Sequence, residues 1–383
     1  MSRAPSTAPL HGINIVALEQ AVAGPLCSRH LADLGADVIK LERPGSGDFS
    51  RHYDSFVKGQ STHFVWLNRG KRSVELDLAS DRGRDVMWAL LARTDVFVHN
   101  LGPGSVERLG FGWEEVHSRH PSLVVCAISG FGSSGPYRDR KAYDAILQGE
   151  SGVMAVTGTT EATAKVGVSV ADLSAAMYAL AGILAALHER RRTSEGRLVE
   201  ISMLDCLAEW MMPFVYQQAY TGRAPERAGA RHSMIAPYGP FTARDGIMVN
   251  LGVQNASQWR RFCEGVIERP DLTEDARFVT NQLRVRNRSE LEAAIEGAVS
   301  TLSSSVLEQR LAEFDIPFGR VNSVERLRNH PQLLAQGRWL EADSEGGRII
   351  ALAHPFAAAA EQAAGSVPRL GQHTEEVLRE LHI

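Results

Sequence analysis

The feature that most constrains the fold is an alternation of short apolar strand patterns with helix patterns over residues 13–129. One helix pattern opens at Gly24-Pro25, where proline is tolerated near a helix start, and stops at Gly35. Strands that alternate with helices in this way build a parallel sheet with helices on both faces. The predicted strands are residues 13–18, 36–41, 73–78, 95–99, 122–129 and 199–202. The sequence therefore predicts an α/β fold.

The rest of the chain is predicted to form a second domain. A length of 383 residues exceeds what one hydrophobic core usually supports. The stretch from about Gly222 to Gly239 is rich in arginine, glycine and proline, which is typical of a domain boundary. We expect a large domain over residues 1–222 and a smaller α+β domain over residues 223–320. That small domain should open with a hairpin through Arg244-Asp245-Gly246, and residues 321–383 form a C-terminal segment.

Composition excludes several classes of function. A net charge of −4 argues against nucleic acid or an anionic membrane as a partner. The four cysteines are far apart, without a CxxC pair, and no cluster of histidine and carboxylate residues suggests a metal site. The absence of a GxSxG elbow disfavours a serine hydrolase. The N-terminus has no apolar signal core, so we expect a cytoplasmic protein.

A single acid interrupts a long apolar run. With histidine counted as neutral, Asp172 is the one charged residue between Lys165 and Glu189. Burying a lone carboxylate is costly unless it is paired or used, so this residue is a candidate for chemistry. Helical spacing after it leaves a second interpretation, in which Asp172 is the N-cap of a buried helix. The run ends in His-Glu-Arg-Arg-Arg, which favours a buried helix with a solvated basic end over a membrane span.

Loops of the first domain contain features that suit a phosphorylated ligand. Gly130-Phe-Gly-Ser-Ser-Gly135 matches GxGxxG, but no helix pattern follows it, which disfavours nicotinamide binding. The turn Gly102-Pro-Gly104 instead opens a short helix that carries Arg108, and helix starts favour anions. Arg43, Lys71 and Arg72 also flank strands. Each could be a surface charge, whereas together they suit a ligand with several phosphates.

Ordered segments over nearly the whole chain resemble one family. The segments are Ala23-Gly-Pro25, Leu34-Gly-Ala-Asp-Val-Ile-Lys-Leu-Glu-Arg-Pro-Gly-Ser-Gly-Asp48, Asn68-Arg-Gly-Lys-Arg-Ser73, Asn100-Leu-Gly-Pro-Gly104, Tyr143-Asp144, Ala171-Asp172, Glu195-Gly-Arg-Leu-Val-Glu-Ile-Ser-Met203 and Pro368-Arg-Leu-Gly-Gln-His-Thr. Together they resemble the class III coenzyme A transferases, a family that includes formyl-CoA transferase, carnitine CoA-transferases and α-methylacyl-CoA racemases.

The resemblance implies a fold and an activity. The fold is a Rossmann-like large domain, a smaller α+β domain and a C-terminal segment that returns to the large domain, in a homodimer interlocked ring through ring. The activity is transfer of CoA between an acyl-CoA and a carboxylic acid, with CoA as substrate and no tightly bound cofactor. Asp172 matches the family's nucleophile, which passes through an aspartyl-acyl anhydride and an aspartyl-CoA thioester.

The resemblance also implies contacts with CoA. Arg43 matches a residue at the adenine and phosphate end of the ligand. Around the adenosine and phosphates the matching residues are Lys71, Asn100, Leu101 and Arg108. Lining the pantetheine channel and the active site, they are Lys141, Tyr143 and Met203.

Departures from the family pattern bear on the reaction and the substrate. The racemase branch has a histidine near Tyr143, and an unperturbed phenol is a poor base near neutral pH. Transfer is therefore favoured over the two alternatives, an α-methylacyl-CoA racemase and a non-catalytic CoA-binding protein. Leu251-Gly-Val-Gln-Asn255 lacks the glycine run that closes over the formyl-CoA transferase site. Dicarboxylic acids would need a cation, for which the loop residues are Arg51, His52, Arg231 and His232, each equally a surface residue.

Overall fold

A six-stranded parallel sheet forms the centre of the first part of the chain. The computed structural model describes residues 8–356 and 364–383. Most of the N-terminal stretch that was searched for an export signal therefore lies outside the described residues. The strands are β1 (Asn14–Leu18), β2 (Asp37–Glu42), β3 (Arg72–Glu75), β4 (Val96–His99), β5 (Val124–Ser129) and β6 (Leu198–Ser202). Their order is β3-β2-β1-β4-β5-β6, with every neighbouring pair parallel. The prediction of an α/β fold with a parallel sheet is confirmed.

Helices follow the strands as the alternation predicted. They are α1 (Ala23–Asp33), α2 (Thr62–Asn68), α3 (Asp81–Leu91), α4 (Ser105–Arg108), α5 (Trp113–Arg119), α6 (Asp144–Glu150), α7 (Val153–Val156), α8 (Val170–Thr193) and α9 (Met203–Thr221), with a 3₁₀ turn at Phe49–His52. The strand order reverses between β1 and β4, and ligands of such sheets bind outside the carboxyl ends at this point.

The chain divides into two compact units. The first contains residues 8–151, 166–212, 331–356 and 364–383, and the second contains residues 152–165 and 213–330. The division within α9 falls at Pro213, a residue type that interrupts helix hydrogen bonding. The first unit ends in α16 (Pro331–Ala335), the antiparallel pair β10 (Trp339–Ala342) and β11 (Ile349–Leu352), and α17 (Thr374–Leu381). Val377 of α17 packs in the same core as Phe97 of β4 and Met87 of α3.

The second unit has its own core and sheet. Its strands β7 (Tyr238–Thr242), β8 (Met248–Gly252) and β9 (Phe318–Arg320) are antiparallel, so the predicted hairpin through Arg244-Asp245-Gly246 is confirmed. Its later helices are α10 (Ala256–Arg261), α11 (Asp271–Glu274), α12 (Asn281–Arg286), α13 (Arg288–Val299), α14 (Ser304–Glu313) and α15 (Val324–Arg328). Phe241, Phe262 and Leu311 are fully buried in this core.

Helix α8 is the longest helix of the described residues. By length and composition alone it could cross a membrane, with a mean hydropathy of 1.8 over its most apolar window. Half of that window is buried in the structure, where α8 packs against α1, β5 and β6. Its small residues Ala171, Ala175 and Ala179 are fully buried, which allows close approach of the neighbouring elements. The apolar run therefore serves the core of the first unit.

Candidate active site

Asp172 is the third residue of α8 and lies three positions after the N-cap. The helix begins at Val170 and its N-cap residue is Ser169, so the interpretation of Asp172 as the N-cap is wrong. The Ser169 side chain makes no capping hydrogen bond either. Instead, Oδ1 of Asp144 accepts the N–H of Ala171 at 2.8 Å, satisfying one of the unpaired donors of the helix start. The Asp172 carboxylate is thereby left for another partner.

That partner is the start of a different helix. The backbone N–H of Ala23, the first residue of α1, lies close enough to Asp172 to lower the pKa of its carboxyl group. The N-cap residue Val22 makes no side-chain capping bond, so this helix start has no cap from its own segment. Helix starts carry partial positive charge, which favours an anion there. The Asp172 carboxylate therefore lies beside a helix start that favours its ionised form.

Burial, and to a lesser extent the nearby Asp144 carboxylate, raise the pKa of Asp172 to about 7 against the lowering effect of the Ala23 N–H. A carboxyl group with this pKa is divided between its neutral and ionised forms near neutral pH. Perturbed groups of this kind cluster at functional sites. The pKa therefore supports a chemical role for Asp172.

Asp144 is held in place by a second hydrogen bond. Its Oδ2 accepts from Nε2 of Gln148 at 2.8 Å, and Oε1 of Gln148 accepts the N–H of Val166 at 2.8 Å. Asp144 is buried although it begins a helix. The resulting chain of bonds fixes the segment that enters α8. Asp144 therefore both anchors the start of α8 and adds negative charge beside Asp172.

The loop between β1 and α1 places the Ala23 N–H. The N–H and C=O of Gln20 form two hydrogen bonds of 2.8 Å with the side-chain amide of Asn100, which follows β4. Ala21 has a φ of 62°, and its N–H donates to Oδ1 of Asp48 at 3.1 Å. At Gly24, a Cβ atom would lie only 3.1 Å from Cγ of Asn100. The loop is thus fixed across the point where the strand order reverses.

Four buried charges lie beside this loop, namely Glu19, Lys40, Asp48 and Lys71. Nζ of Lys71 donates to Oε1 of Glu19 at 2.7 Å, to Oδ1 of Asn68 at 3.0 Å and to the C=O of Pro25 at 2.9 Å. Burial lowers the pKa of Lys71 to about 8, although Glu19 opposes this shift. The ammonium has three acceptors and no exposed surface. The structure therefore places Lys71 within the protein rather than at a ligand surface, and gives it the role of holding Glu19 and the start of α1.

The other residues expected to contact CoA lie at several places in the first unit. Asn100 holds the Gln20 loop, and Leu101 lines a cavity of about 300 Å³ beside the ends of β4 and β5. Exposed side chains belong to Arg43, Arg108 and Lys141, and Met203 is buried at the start of α9. Nη2 of Arg108 donates to Oγ of Ser105 at 2.9 Å within α4. Asn100 is connected to Asp172 through the β1–α1 loop.

Tyr53 is a residue of this neighbourhood that the sequence did not reveal. Burial raises its pKa to about 12, with further contributions from Asp48, Asp172 and Tyr143. A phenol with this pKa stays protonated near neutral pH and is a hydrogen-bond donor. Because Asp172 and Tyr143 both raise the pKa of Tyr53, both side chains lie near its phenol. Tyr143 is 66% exposed. Tyr53 follows the 3₁₀ turn without any motif, so no sequence signal pointed to it.

Two of the cations suggested for a dicarboxylate have structural partners in the first unit. Nε and Nη2 of Arg51 bind the Glu42 carboxylate at 2.9 and 2.7 Å, and the guanidinium stacks 3.7 Å from the Phe64 ring centre. Nε2 of His52 lies 3.2 Å from the C=O of Ser46. Arg51 in particular is committed to a bidentate pair, which is the stronger form of such contacts.

The other two suggested cations lie in the second unit, where they also have partners. Arg231 forms ion pairs with Glu292 at 3.1 Å and with Glu296 at 2.7 Å. The His232 ring stacks on Tyr238, with ring centres 5.2 Å apart. These contacts bind neighbouring segments of the second unit together. The interpretation of these residues as structural surface groups is the one that their contacts favour.

Comparisons with known proteins agree with the resemblance. A family model described as CoA-transferase family III matches residues 10–374. The succinyl-CoA:glutarate CoA-transferase of Mus musculus is 33% identical over 392 residues, which cover 98% of this chain and 87% of the relative. The acetyl-CoA:oxalate CoA-transferase of Acetobacter aceti is 34% identical over 336 residues, which cover 87% of this chain and 86% of the relative.

Solved structures give the same result. A CAIB/BAIF family protein from Brucella suis superimposes with a TM-score of 0.83 at 31% identity, covering 98% of this chain and 99% of that chain. A hypothetical protein from Mycobacterium tuberculosis superimposes with a TM-score of 0.84 at 27% identity, covering 97% of this chain and 99% of that chain. The similarity therefore extends over the whole fold and is not confined to the sheet.

Proposed function

The chain belongs to CoA-transferase family III, and from this premise we propose that it transfers CoA from an acyl-CoA to a carboxylic acid with Asp172 as covalent nucleophile. One observation carries the assignment of the nucleophile. The Asp172 carboxylate is partly buried beside the Ala23 N–H at the start of α1, and its pKa is raised to about 7. A carboxylate that is poorly hydrated yet oriented is suited to attack a carbonyl.

The first step breaks the donor thioester. A carboxylate oxygen of Asp172 attacks the acyl carbonyl carbon, a new C–O bond forms, and the C–S bond breaks with release of the CoA thiolate. The product is an aspartyl-acyl anhydride. A raised pKa helps this step because a more basic carboxylate is a stronger nucleophile while a useful fraction is still ionised near neutral pH.

In the second step the CoA thiolate attacks the aspartyl carbonyl carbon of Asp172. The bond between the aspartyl carbonyl carbon and the bridging oxygen of the anhydride breaks. The donor acid leaves as a carboxylate with that oxygen, and an aspartyl-CoA thioester remains. Negative charge develops on the aspartyl oxygen, and the Ala23 N–H that holds the resting carboxylate is placed to stabilise it. The start of α1 therefore acts in both the resting state and the transition state.

The acceptor acid completes the cycle by the reverse chemistry. Its carboxylate attacks the aspartyl carbonyl of the thioester and releases the CoA thiolate, giving a second anhydride. The thiolate then attacks the acceptor carbonyl, so that the new acyl-CoA leaves and the Asp172 carboxylate is regenerated. No step needs a proton acceptor, which fits the exposed phenol of Tyr143 better than proton removal would.

For the ligand we propose contacts that follow the family resemblance. Arg43 and Arg108 supply positive charge to the CoA phosphates, with Asn100 and Leu101 beside the adenosine and phosphates. Lys141, Tyr143 and Met203 line the pantetheine channel and the active site. Relatives are named for succinyl-CoA with glutarate and for acetyl-CoA with oxalate, so short dicarboxylic acids are the proposed acceptors. We also propose, on the resemblance, a cytoplasmic homodimer of interlocked rings.

The test is exchange between a panel of acyl-CoAs and carboxylic acids, followed by mass spectrometry of new thioesters. Hydroxylamine added during turnover should modify Asp172 of the wild type. Asp172→Asn should lose both exchange and trapping. Asp205→Asn is the matched control, because Asp205 is likewise the third residue of a helix but is exposed. Exchange of an α-proton with solvent, without any acceptor acid, would establish the racemase alternative instead.

A further inference from the structure

The loop from β1 to α1 holds an alanine in a left-handed backbone conformation. Ala21 has a φ of 62°, a region that residues other than glycine seldom adopt. Two residues later the chain presents the Ala23 N–H to the Asp172 carboxylate. Non-glycine residues persist in such conformations only where surrounding contacts impose them, and they concentrate at functional sites. The contacts that impose this conformation are therefore of interest.

Each of the three residues before Val22 is held through its backbone. Nζ of Lys40 donates to the C=O of Glu19 at 3.2 Å. The Asn100 amide pairs with both backbone groups of Gln20. The Ala21 N–H donates to Oδ1 of Asp48 at 3.1 Å, and this bond acts directly at the left-handed residue.

The Asp48 side chain is in turn fixed by hydrogen bonds from Lys40 and Ser50. Its Oδ2 accepts from Nζ of Lys40 at 2.9 Å and its Oδ1 accepts the N–H of Ser50 at 2.9 Å. Neither side chain of the Lys40–Asp48 pair has exposed surface. A buried ion pair contributes little net stability compared with an apolar pair of similar volume. Its position under the loop gives it a geometric role.

We propose that Asp48, held by Lys40, is a positioning residue of the transferase that keeps Ala21 in its left-handed conformation and so aims the Ala23 N–H at Asp172. This role rests on the proposed function of Asp172. It does not require Asp48 to touch CoA or the acyl group. A relaxed loop would displace the Ala23 N–H from the aspartyl oxygen. This displacement would reduce the stabilisation of the transition state more than it reduces the affinity for substrate.

The test is a mutant cycle with steady-state kinetics. Asp48→Ala should lower kcat by about 10- to 100-fold with little change in KM, as expected when a transition-state donor is displaced. The double variant with Ala21→Gly should have a kcat at least about 5-fold higher than Asp48→Ala alone, because glycine adopts a positive φ without steric cost. Asp33→Ala is the control, since Asp33 is a largely buried aspartate, with 7% of its side chain exposed, that pairs with Arg29 and Arg69. It should keep kcat within about 3-fold of wild type.

A second variant covers the case in which Asp48→Ala does not fold. Ala21→Val leaves every charge in place, but a β-branched residue strongly disfavours a φ of 62°. It should lower kcat by about 10-fold or more while the far-UV spectrum stays unchanged. Wild-type kcat in Ala21→Val, or no restoration of Asp48→Ala by Ala21→Gly, would overturn the positioning role. Absence of CoA exchange in the wild type would instead remove the proposed function.

Discussion

Replacing Asp172 with asparagine should stabilise the folded protein above neutral pH. Burial is the largest cause that raises the pKa of this carboxyl group from 3.8 to about 7. Ionising it in the folded protein therefore costs free energy that the unfolded chain does not lose. Asparagine has nearly the same shape and keeps an oxygen for the Ala23 N–H, but carries no charge. The variant should lose activity and gain stability, a trade-off expected at a strained active site.

The sign and size follow from linkage. A carboxyl group with a raised pKa binds its proton more tightly in the folded state, so stability is lost as pH rises from 3.8 to about 7 and is constant beyond that. At about 1.4 kcal/mol per pH unit, the full interval corresponds to roughly 4 kcal/mol. Between about pH 5.5 and about pH 8.5, the advantage of Asp172→Asn over the wild type should grow by roughly 2 kcal/mol.

Urea unfolding at a series of pH values measures this difference directly. Protein concentration must be held fixed, because the apparent stability of an oligomer depends on it. Asp205→Asn is the control, because it removes the same charge at the same position of α9 but from an exposed side chain. A stability difference for Asp172→Asn that is flat between acidic and basic pH would refute the reasoning, as would one that shrinks.

Two further predictions concern the surroundings of the nucleophile. Gly24→Ala should destabilise the fold by about 1–3 kcal/mol and lower kcat, because the new Cβ atom would lie 3.1 Å from Cγ of Asn100. Its control is Gly297→Ala in α13, where the new Cβ atom meets nothing within 4 Å. This variant should raise the free energy of unfolding by up to about 1 kcal/mol, seen as a higher urea midpoint. Asp144→Asn removes a charge that raises the pKa of Asp172, so the acid limb of kcat/KM should move to lower pH. An unmoved limb would show that the two carboxylates are not coupled.

The sheet could be predicted because its signals are local. Apolar runs bounded by glycine, proline and polar residues led to strands within a few residues of the observed ones. The alternation then left a parallel sheet as the main solution. The same reasoning placed the start of the long apolar helix close to Asp172, but it could not distinguish the N-cap from the third helical residue. That distinction depends on Asp144, which caps the helix from a distant segment.

Charged residues were harder to interpret because a sequence does not show which of them are buried. Lys71 was expected at a ligand surface, since lysine is seldom fully buried unless paired. Its partners Glu19 and Asn68 come from the ends of β1 and α2, and only the tertiary fold brings them together. Arg51 illustrates the same point, because Glu42 binds it in a bidentate pair. Pairing of this kind follows from strand order and not from local pattern.

The chemistry expected of Asp172 needs opposing effects held in balance. Burial and the Asp144 charge raise its pKa, which strengthens the nucleophile, whereas the Ala23 N–H lowers it and keeps part of the population ionised. Burial is robust because many side chains contribute to it. The single N–H depends on one strained loop, so it is the contribution most easily lost. A buried Lys40–Asp48 pair beside that loop is therefore better explained by the geometry it imposes on Asp172 than by the stability it adds.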